Sequence, residues 1–231
     1  MVSVNQTLTQ PAGRDAPMYV STEIVIFTIR EARLQVVLRR RRRDPLKGGG
    51  TWALPGGAVG VDEDVDLAAT RTLTQQTGLK DVYLEQLYTF GCPDRHPERR
   101  LITVAYYALA PVERTVDAQR HKDELVWFPC GALPELYLDH GAIIDVARGR
   151  LKAKLDYSTI AFQFMPKRFT LSELQHVYET ILGETLDKRN FRKRVLSIGT
   201  LEQTGNMRRD GCHRPARLYR LKTPGKVQFI K

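Results

Sequence analysis

Two glycines, Gly56 and Gly57, close the stretch Thr51-Trp52-Ala53-Leu54-Pro55 and lead into a segment with helical spacing. Glycines at such a turn let backbone amides approach an anionic group such as a pyrophosphate. Glu63 and Arg71 follow, then Thr72, Gln75 and Gln76, which at i, i+3 and i+4 share one helix face. Carboxylates there would hold a hard divalent cation, which takes anionic oxygen ligands and activates water. A Gln amide carries no charge and a Thr hydroxyl is a weak substitute. That face therefore offers no such ligands, and neither a catalytic residue nor a metal ligand is expected. Asp62, Asp64 and Asp66 read as capping residues favoured by the helix dipole.

Anion contacts have other candidates. Arg39 to Arg43 form a run of arginines before Asp44-Pro45 and Gly48-Gly49-Gly50, and Arg39 lies nearest a strand end. Arg99 and Arg100 precede an apolar strand, and both loop solvation and pairing with a ligand phosphate stay open for them. The ligand-binding set is Arg39, Gly56, Gly57, Arg99 and Arg100.

The surrounding elements are readable from pattern. Tyr19–Ile29 reads as a strand and Leu34–Leu38 as its hairpin partner. Val82–Phe90, Leu101–Leu109 and Leu125–Phe128 read as further strands, with Gly91–Arg100 a charged loop. His140–Lys154 reads as a helix. Residues 1–17 read as a flexible arm without the pattern of a signal peptide. No apolar run is long enough to span a bilayer. Cys92, Cys130 and Cys212 are odd in number and far apart, with no C-x-x-C spacing, so a reduced, cytoplasmic protein is expected.

The 231 residues carry a net charge of +10, and its placement matters more than its size. Residues 1–150 hold 19 Lys+Arg against 19 Asp+Glu, whereas residues 151–231 hold 17 against 7. The whole excess lies in the last third, which points to a polyanionic partner. There Thr170-Leu171-Ser172-Glu173 is a capping box that opens an amphipathic helix, closed by Gly183. Asp187 opens a second helix on the apolar anchors Phe191, Val195 and Ile198. Arg189, Asn190 and Lys193 face away from those anchors at ~100° per residue. Thr200–Thr204 and Ala216–Leu221 then read as the arms of a basic hairpin. This is the order of a winged helix-turn-helix, with Arg189, Asn190 and Lys193 as groove contacts and Lys188 and Arg192 beside them. Arg208, Arg209 and Arg214 at the hairpin tip are expected on phosphates. His213 has no second ligand at metal spacing.

The box from Gly57 to Leu79 has the spacing G-x5-E-x7-R-E-U-x-E-E-x-G-U, where U is a bulky aliphatic. Gly57, Glu63, Arg71, Leu73, Gly78 and Leu79 are in register. It resembles the Nudix box. A Nudix domain joined to a basic winged helix is similar to the Nudix-related transcriptional regulators of NAD metabolism, the NrtR family. The segments Arg99–Leu109 and Arg214–Tyr219 share in the resemblance. It implies an α/β (α+β) Nudix domain, a mixed sheet sandwiched by helices, over residues 18–155, and a winged helix over 156–231. It further implies a homodimer on palindromic double-stranded DNA, repression of genes of NAD synthesis or salvage, and ADP-ribose or a related metabolite as effector, with no cofactor. Thr72, Gln75 and Gln76 stand where the family pattern has its metal-binding glutamates. A hydrolase of ADP-ribose or a nucleotide sugar is the alternative, and needs other acids to replace them. RNA binding is disfavoured, because the basic third has no interleaved aromatic platform.

Overall fold

The computed structural model describes residues 17–41, 52–115, 125–209 and 215–230. Most of the N-terminal arm, Arg42 and Arg43, Gly48-Gly49-Gly50, Cys212, His213 and Arg214 lie outside them. Among the described residues, no helix is long and apolar enough to cross a membrane.

Strand β1 (Met18–Arg30) is the spine. It turns through Glu31-Ala32, both at positive φ (51° and 57°), into antiparallel β2 (Arg33–Arg40). A two-residue hairpin demands that conformation, although neither residue is of the type that adopts it cheaply. On its other edge β1 runs parallel to β6 (Arg100–Leu109), from Met18↔Arg100 to Phe27↔Leu109. Strand β5 (Tyr83–Phe90) lies antiparallel to β6, while β3 (Trp52–Ala53) and β7 (Leu125–Pro129) pair with β2. Strand β4 (Gly56–Ala58) folds back on β1 in the register Ser21↔Ala58, Thr22↔Gly57 and Glu23↔Gly56. The sheet is thus mixed and seven-stranded.

Helices cover both faces, which explains why β1 is apolar without alternation. Ile24 and Ile26 join the core under helix α1 (Val65–Thr77) with Ala69, Leu73 and Tyr106. Val25 and Phe27 join the opposite core under helix α2 (His140–Tyr157) with Ile143, Ile144, Ala147, Leu151 and Leu155. Asp64 caps α1, accepting from the Asp66 amide, and Gly78 ends it at φ 74°. Helix α2 runs one turn beyond the expected Lys154.

The winged helix follows as α3 (Leu171–Leu182), α4 (Lys188–Ser197), β8 (Leu201–Arg208) and β9 (Ala216–Leu221). Both hydrogen bonds of the Thr170/Glu173 capping box form, and Gly183 closes α3 at φ 78°. Phe169 bridges Tyr219, adding a short third edge to the wing. The core under α2 continues through Phe162, Phe169, Leu174, Tyr178, Phe191, Val195 and Tyr219, so one apolar cluster serves both parts.

Candidate functional site

The glycine box keeps its frame by two clamps. Arg71 donates to both Glu63 oxygens, Nε to Oε1 at 2.6 Å and Nη2 to Oε2 at 2.8 Å, and also to Ala58 O at 3.1 Å. The Gly60 amide donates to Glu63 Oε2 at 3.1 Å. The Arg71 bond, then that amide, hold the Glu63 carboxyl down at about 2. In the second clamp the Gln76 amide spans Gly56. Its Oε1 accepts from the Gly56 N–H at 3.2 Å and its Nε2 donates to the Gly56 carbonyl at 2.7 Å.

The expectation that the Gly56 amide faces a ligand is therefore corrected, since that donor is taken by Gln76. Gly57 lies in ladder register with Thr22. Of the three uncharged box residues, only Thr72 and Gln76 turn to the sheet. Thr72 is buried with its hydroxyl unpartnered, whereas Gln75 is exposed. Among the described residues, no three His, Cys, Asp or Glu lie together so as to hold a metal ion. The donors at the box thus do not fit a divalent cation: one carboxylate is spent on arginine and the amide on backbone.

Beside the box lies a polar cluster that pattern reading missed. The Glu23 carboxyl sits directly over Gly56, so close that a Cβ on that glycine would fall 1.7 Å from Oε2. A side chain at position 56 would have to displace that carboxyl. Burial pushes Glu23 up to about 8, against the opposing charges of Arg95, Arg39 and Arg41, while Asp139 adds to the rise. Arg95 is buried and donates to Asp139 twice, Nε to Oδ2 at 2.9 Å and Nη2 to Oδ1 at 2.7 Å, and to Thr103 Oγ1. Thr103 in turn meets Ser21 Oγ at 2.7 Å. His140, pushed down by burial to about 4, accepts the Leu54 amide on Nδ1 at 2.9 Å. The Arg41 guanidinium lies 3.4 Å from the centre of the Tyr137 ring, a close cation–π contact. An acid inside the apolar run of β1 was the one visible sequence signal. Arg95, at the end of a short 3-10 turn (Pro93–Arg95), offered none.

The cluster gathers Arg39 from the end of β2 but not the other two predicted arginines. Arg100 donates to Gly91 O at 2.8 Å, and Arg99 lies over Tyr19 at 5.2 Å. Both line a separate shallow pocket with Pro93, His96 and Pro97.

On the winged helix, Lys188, Arg189, Asn190, Arg192 and Lys193 are all exposed, while Phe191 and Val195 point inward. The Asp187 side chain accepts from the Asn190 amide at 2.8 Å, which fixes the start of α4. Arg208 departs from expectation: it is ion-paired with Glu173, the acid of the capping box, and half-buried. Its charge is thus partly compensated by that acid, a partner the sequence did not reveal. Arg209 is exposed at the end of β8. Arg214 lies outside the described residues. Lys188, Arg192, Leu196, Met207, Arg208 and Arg217 share the walls of one groove between α4 and the wing.

Residues 21–146 match the NUDIX domain family, and residues 161–221 match the NrtR DNA-binding winged helix domain. The chain is 36% identical over 218 residues to the ADPR responsive transcriptional repressor NtrR of Acinetobacter baylyi, covering 92% of this chain and 86% of that protein. It superposes on Shewanella oneidensis NrtR complexed with a 27mer DNA at a TM-score of 0.78 and 33% identity, covering 88% of this chain and 93% of that one. Over 127 residues it is 30% identical to the ADP-ribose pyrophosphatase of Methanocaldococcus jannaschii, covering 55% of this chain and 73% of that protein.

Proposed function

The chain belongs to the NrtR family of Nudix-domain transcriptional regulators, and we propose from this that it represses genes of NAD metabolism and releases its operator when ADP-ribose binds. The Acinetobacter baylyi relative is an ADPR-responsive repressor, and the Shewanella oneidensis relative was solved on DNA. The effector enters between Gly56 and the cationic end of β2, where Arg39 and Arg41 meet Glu23 and Tyr137. A pyrophosphate suits guanidinium partners, which bind it by charge-assisted hydrogen bonds. Operator bases are read by Arg189, Asn190 and Lys193, with Lys188, Arg192 and Arg209 on phosphates. The protein acts in the cytoplasm as a homodimer on a palindromic site, the arrangement in which two recognition helices enter successive major grooves.

The observation that carries the regulatory reading is the Gln76 clamp. In place of a metal-facing carboxylate, the box helix carries an amide bonded to both polar groups of Gly56. With Thr72, Gln75 and Gln76 uncharged and Glu63 committed to Arg71, the box helix offers no free carboxylate for the cation that would activate water, so the pocket binds without cleaving.

One pair of assays tests this. Protein incubated with ADP-ribose and Mg²⁺ should release no AMP above background. A gel shift on the upstream region of its NAD-synthesis genes should weaken as ADP-ribose is added. Robust AMP release would favour the hydrolase that the Methanocaldococcus jannaschii relative is named for. DNA binding indifferent to saturating ADP-ribose would sink the sensor reading.

A further inference from the structure

Helix α2 touches both candidate sites. Its 18 residues span roughly 27 Å at 1.5 Å per residue. Asp139, at its N-cap, makes no side-chain cap and spends its carboxylate on the buried Arg95 of the Glu23 cluster. At the far end its last carbonyls are taken by the DNA-reading helix. Arg194 Nη2 donates to Asp156 O at 2.9 Å and to Leu155 O at 3.3 Å. Those carbonyls belong to the final turn, which has no intrahelical donors and carries the negative end of the dipole. Lys152 on α2 reaches the other way, donating to Leu182 O at the end of α3 at 3.1 Å. Both helices of the reading motif are thus fastened to the last turns of α2. Between its ends, Ile143, Ile144, Ala147, Leu151 and Leu155 are fully buried, so the rod is backed by core along its length.

We propose that Arg194 is a positioning residue: it does not read DNA but fixes the reading helix to α2, so that a shift of α2 at its Asp139 end re-aims that helix. The inference rests on the effector-relieved repression proposed above, and adds which residue carries it. Arg194 sits about 100° round α4 from Lys193, on the flank toward α2, and its guanidinium is occupied there. Translations of 1–2 Å are the usual scale of helix shifts in such transitions. Two half-sites at fixed spacing on one duplex make simultaneous contact sensitive to a small rotation of each reader. The effector must bind the two placements of α2 with different affinity. Phosphates arriving beside Arg95, Arg39 and Arg41 compete with Asp139 for cationic partners in one placement only.

The test compares parent, Arg194→Ala and Arg194→Lys. Operator affinity is measured by fluorescence anisotropy on a duplex selected from random sequence by the parent, with and without saturating ADP-ribose. ADP-ribose affinity is measured by calorimetry, and folding by thermal melts. The parent should bind DNA 5–150-fold more weakly with ADP-ribose, the usual range of coupling. Arg194→Ala should bind ADP-ribose like the parent, yet its coupling should fall at least fivefold, with the salt slope of DNA binding unchanged. Arg194→Lys, which keeps a donor for one carbonyl, should recover part of the coupling. If Arg194→Ala instead loses DNA affinity equally with and without ADP-ribose and its salt slope drops by about one, Arg194 is a phosphate contact and the inference is overturned. It is equally overturned if the variant keeps full coupling. A parent that does not respond to ADP-ribose would overturn the sensor reading itself, and the inference with it. Should Arg194→Ala fail to fold, Arg194→Gln carries the same comparison.

Discussion

Glu23 carries a physical conflict at the level of a single residue. Its carboxyl is buried against Gly56 and raised to about 8, so it is protonated at neutral pH although three arginines surround it. The folded value exceeds the unfolded one. The stability this group contributes is therefore fully present below pH 4.5 and lost as pH rises through about 8. Glu23→Gln keeps the shape and removes the titration. Its melting temperature relative to the parent should rise between pH 5 and pH 8.5, and a constant difference would show that the carboxyl is not desolvated as described. In the proposed effector site the same group would face an anionic ligand. Arg95, Arg39, Arg41 and Asp139 act on Glu23, and above pH 8 a second carboxylate joins Asp139. ADP-ribose affinity of the parent should fall from pH 7 to pH 9, and that of Glu23→Gln should not, as calorimetry can measure. Thr72 offers a simpler case. Its hydroxyl is buried without a partner, 3.6 Å from where a Gly57 Cβ would stand. Thr72→Val removes an unsatisfied polar group without changing the outline, and should stabilise by up to about 1 kcal/mol; a loss in a urea melt would mean the hydroxyl has an unseen partner.

Among the elements, α1 shows how a helix outlives its chemistry. Gln76 both accepts from and donates to Gly56, whereas an ionised Glu only accepts. Gln76→Glu should therefore cost about 1–3 kcal/mol at pH 7 and recover part of it at pH 5, where the acid regains a proton to donate. Equal stability at both values would show that the clamp is not what holds β4 to α1. Restoring the three acids at Thr72, Gln75 and Gln76 thus meets a structural barrier before any metal binds. Elements with local causes were legible in the sequence. The capping box at Thr170, the glycine ends at Gly78 and Gly183, and the strands around Val25 and Ala105 follow from spacing and residue type alone. The winged order was legible because Phe191 and Val195 leave a basic face to solvent. What could not be read depends on tertiary approach. Nothing local in Arg95 announces Asp139, 44 residues on, as its partner. Nothing in Arg208 marks it for Glu173, and nothing in Gly56 shows that its amide is occupied.

Across the whole molecule, the decisive feature is a shared core. The cluster that holds Val25, Phe27 and Tyr107 under α2 is continuous with Phe162, Leu174, Tyr178, Phe191 and Tyr219 of the winged helix. The C-terminal segment adds a second tie. The Thr159 amide donates to Gln228 O at 2.9 Å and the Ile230 amide to Tyr157 O at 2.7 Å, across the joint between α2 and the winged helix. Two domains on a slack linker would melt separately, and a ligand of one would leave the other unchanged. A common core makes unfolding of either part expose apolar surface of both, so the chain should unfold in one transition. A ligand that binds only the folded form stabilises by about 2.7 kcal/mol at a hundred times its dissociation constant. With cooperative unfolding, that gain must also reach the DNA-reading helices. Trp52 and Trp127 report on the sheet by fluorescence, and amide exchange in α3 reports on the winged helix, which has no tryptophan. Saturating ADP-ribose should shift the tryptophan melt and slow exchange in α3 by the same free energy. Protection confined to residues 18–155, or two calorimetric transitions, would mean that the domains are thermodynamically separate. Any relief of DNA binding would then have to act by steric exclusion rather than through the fold.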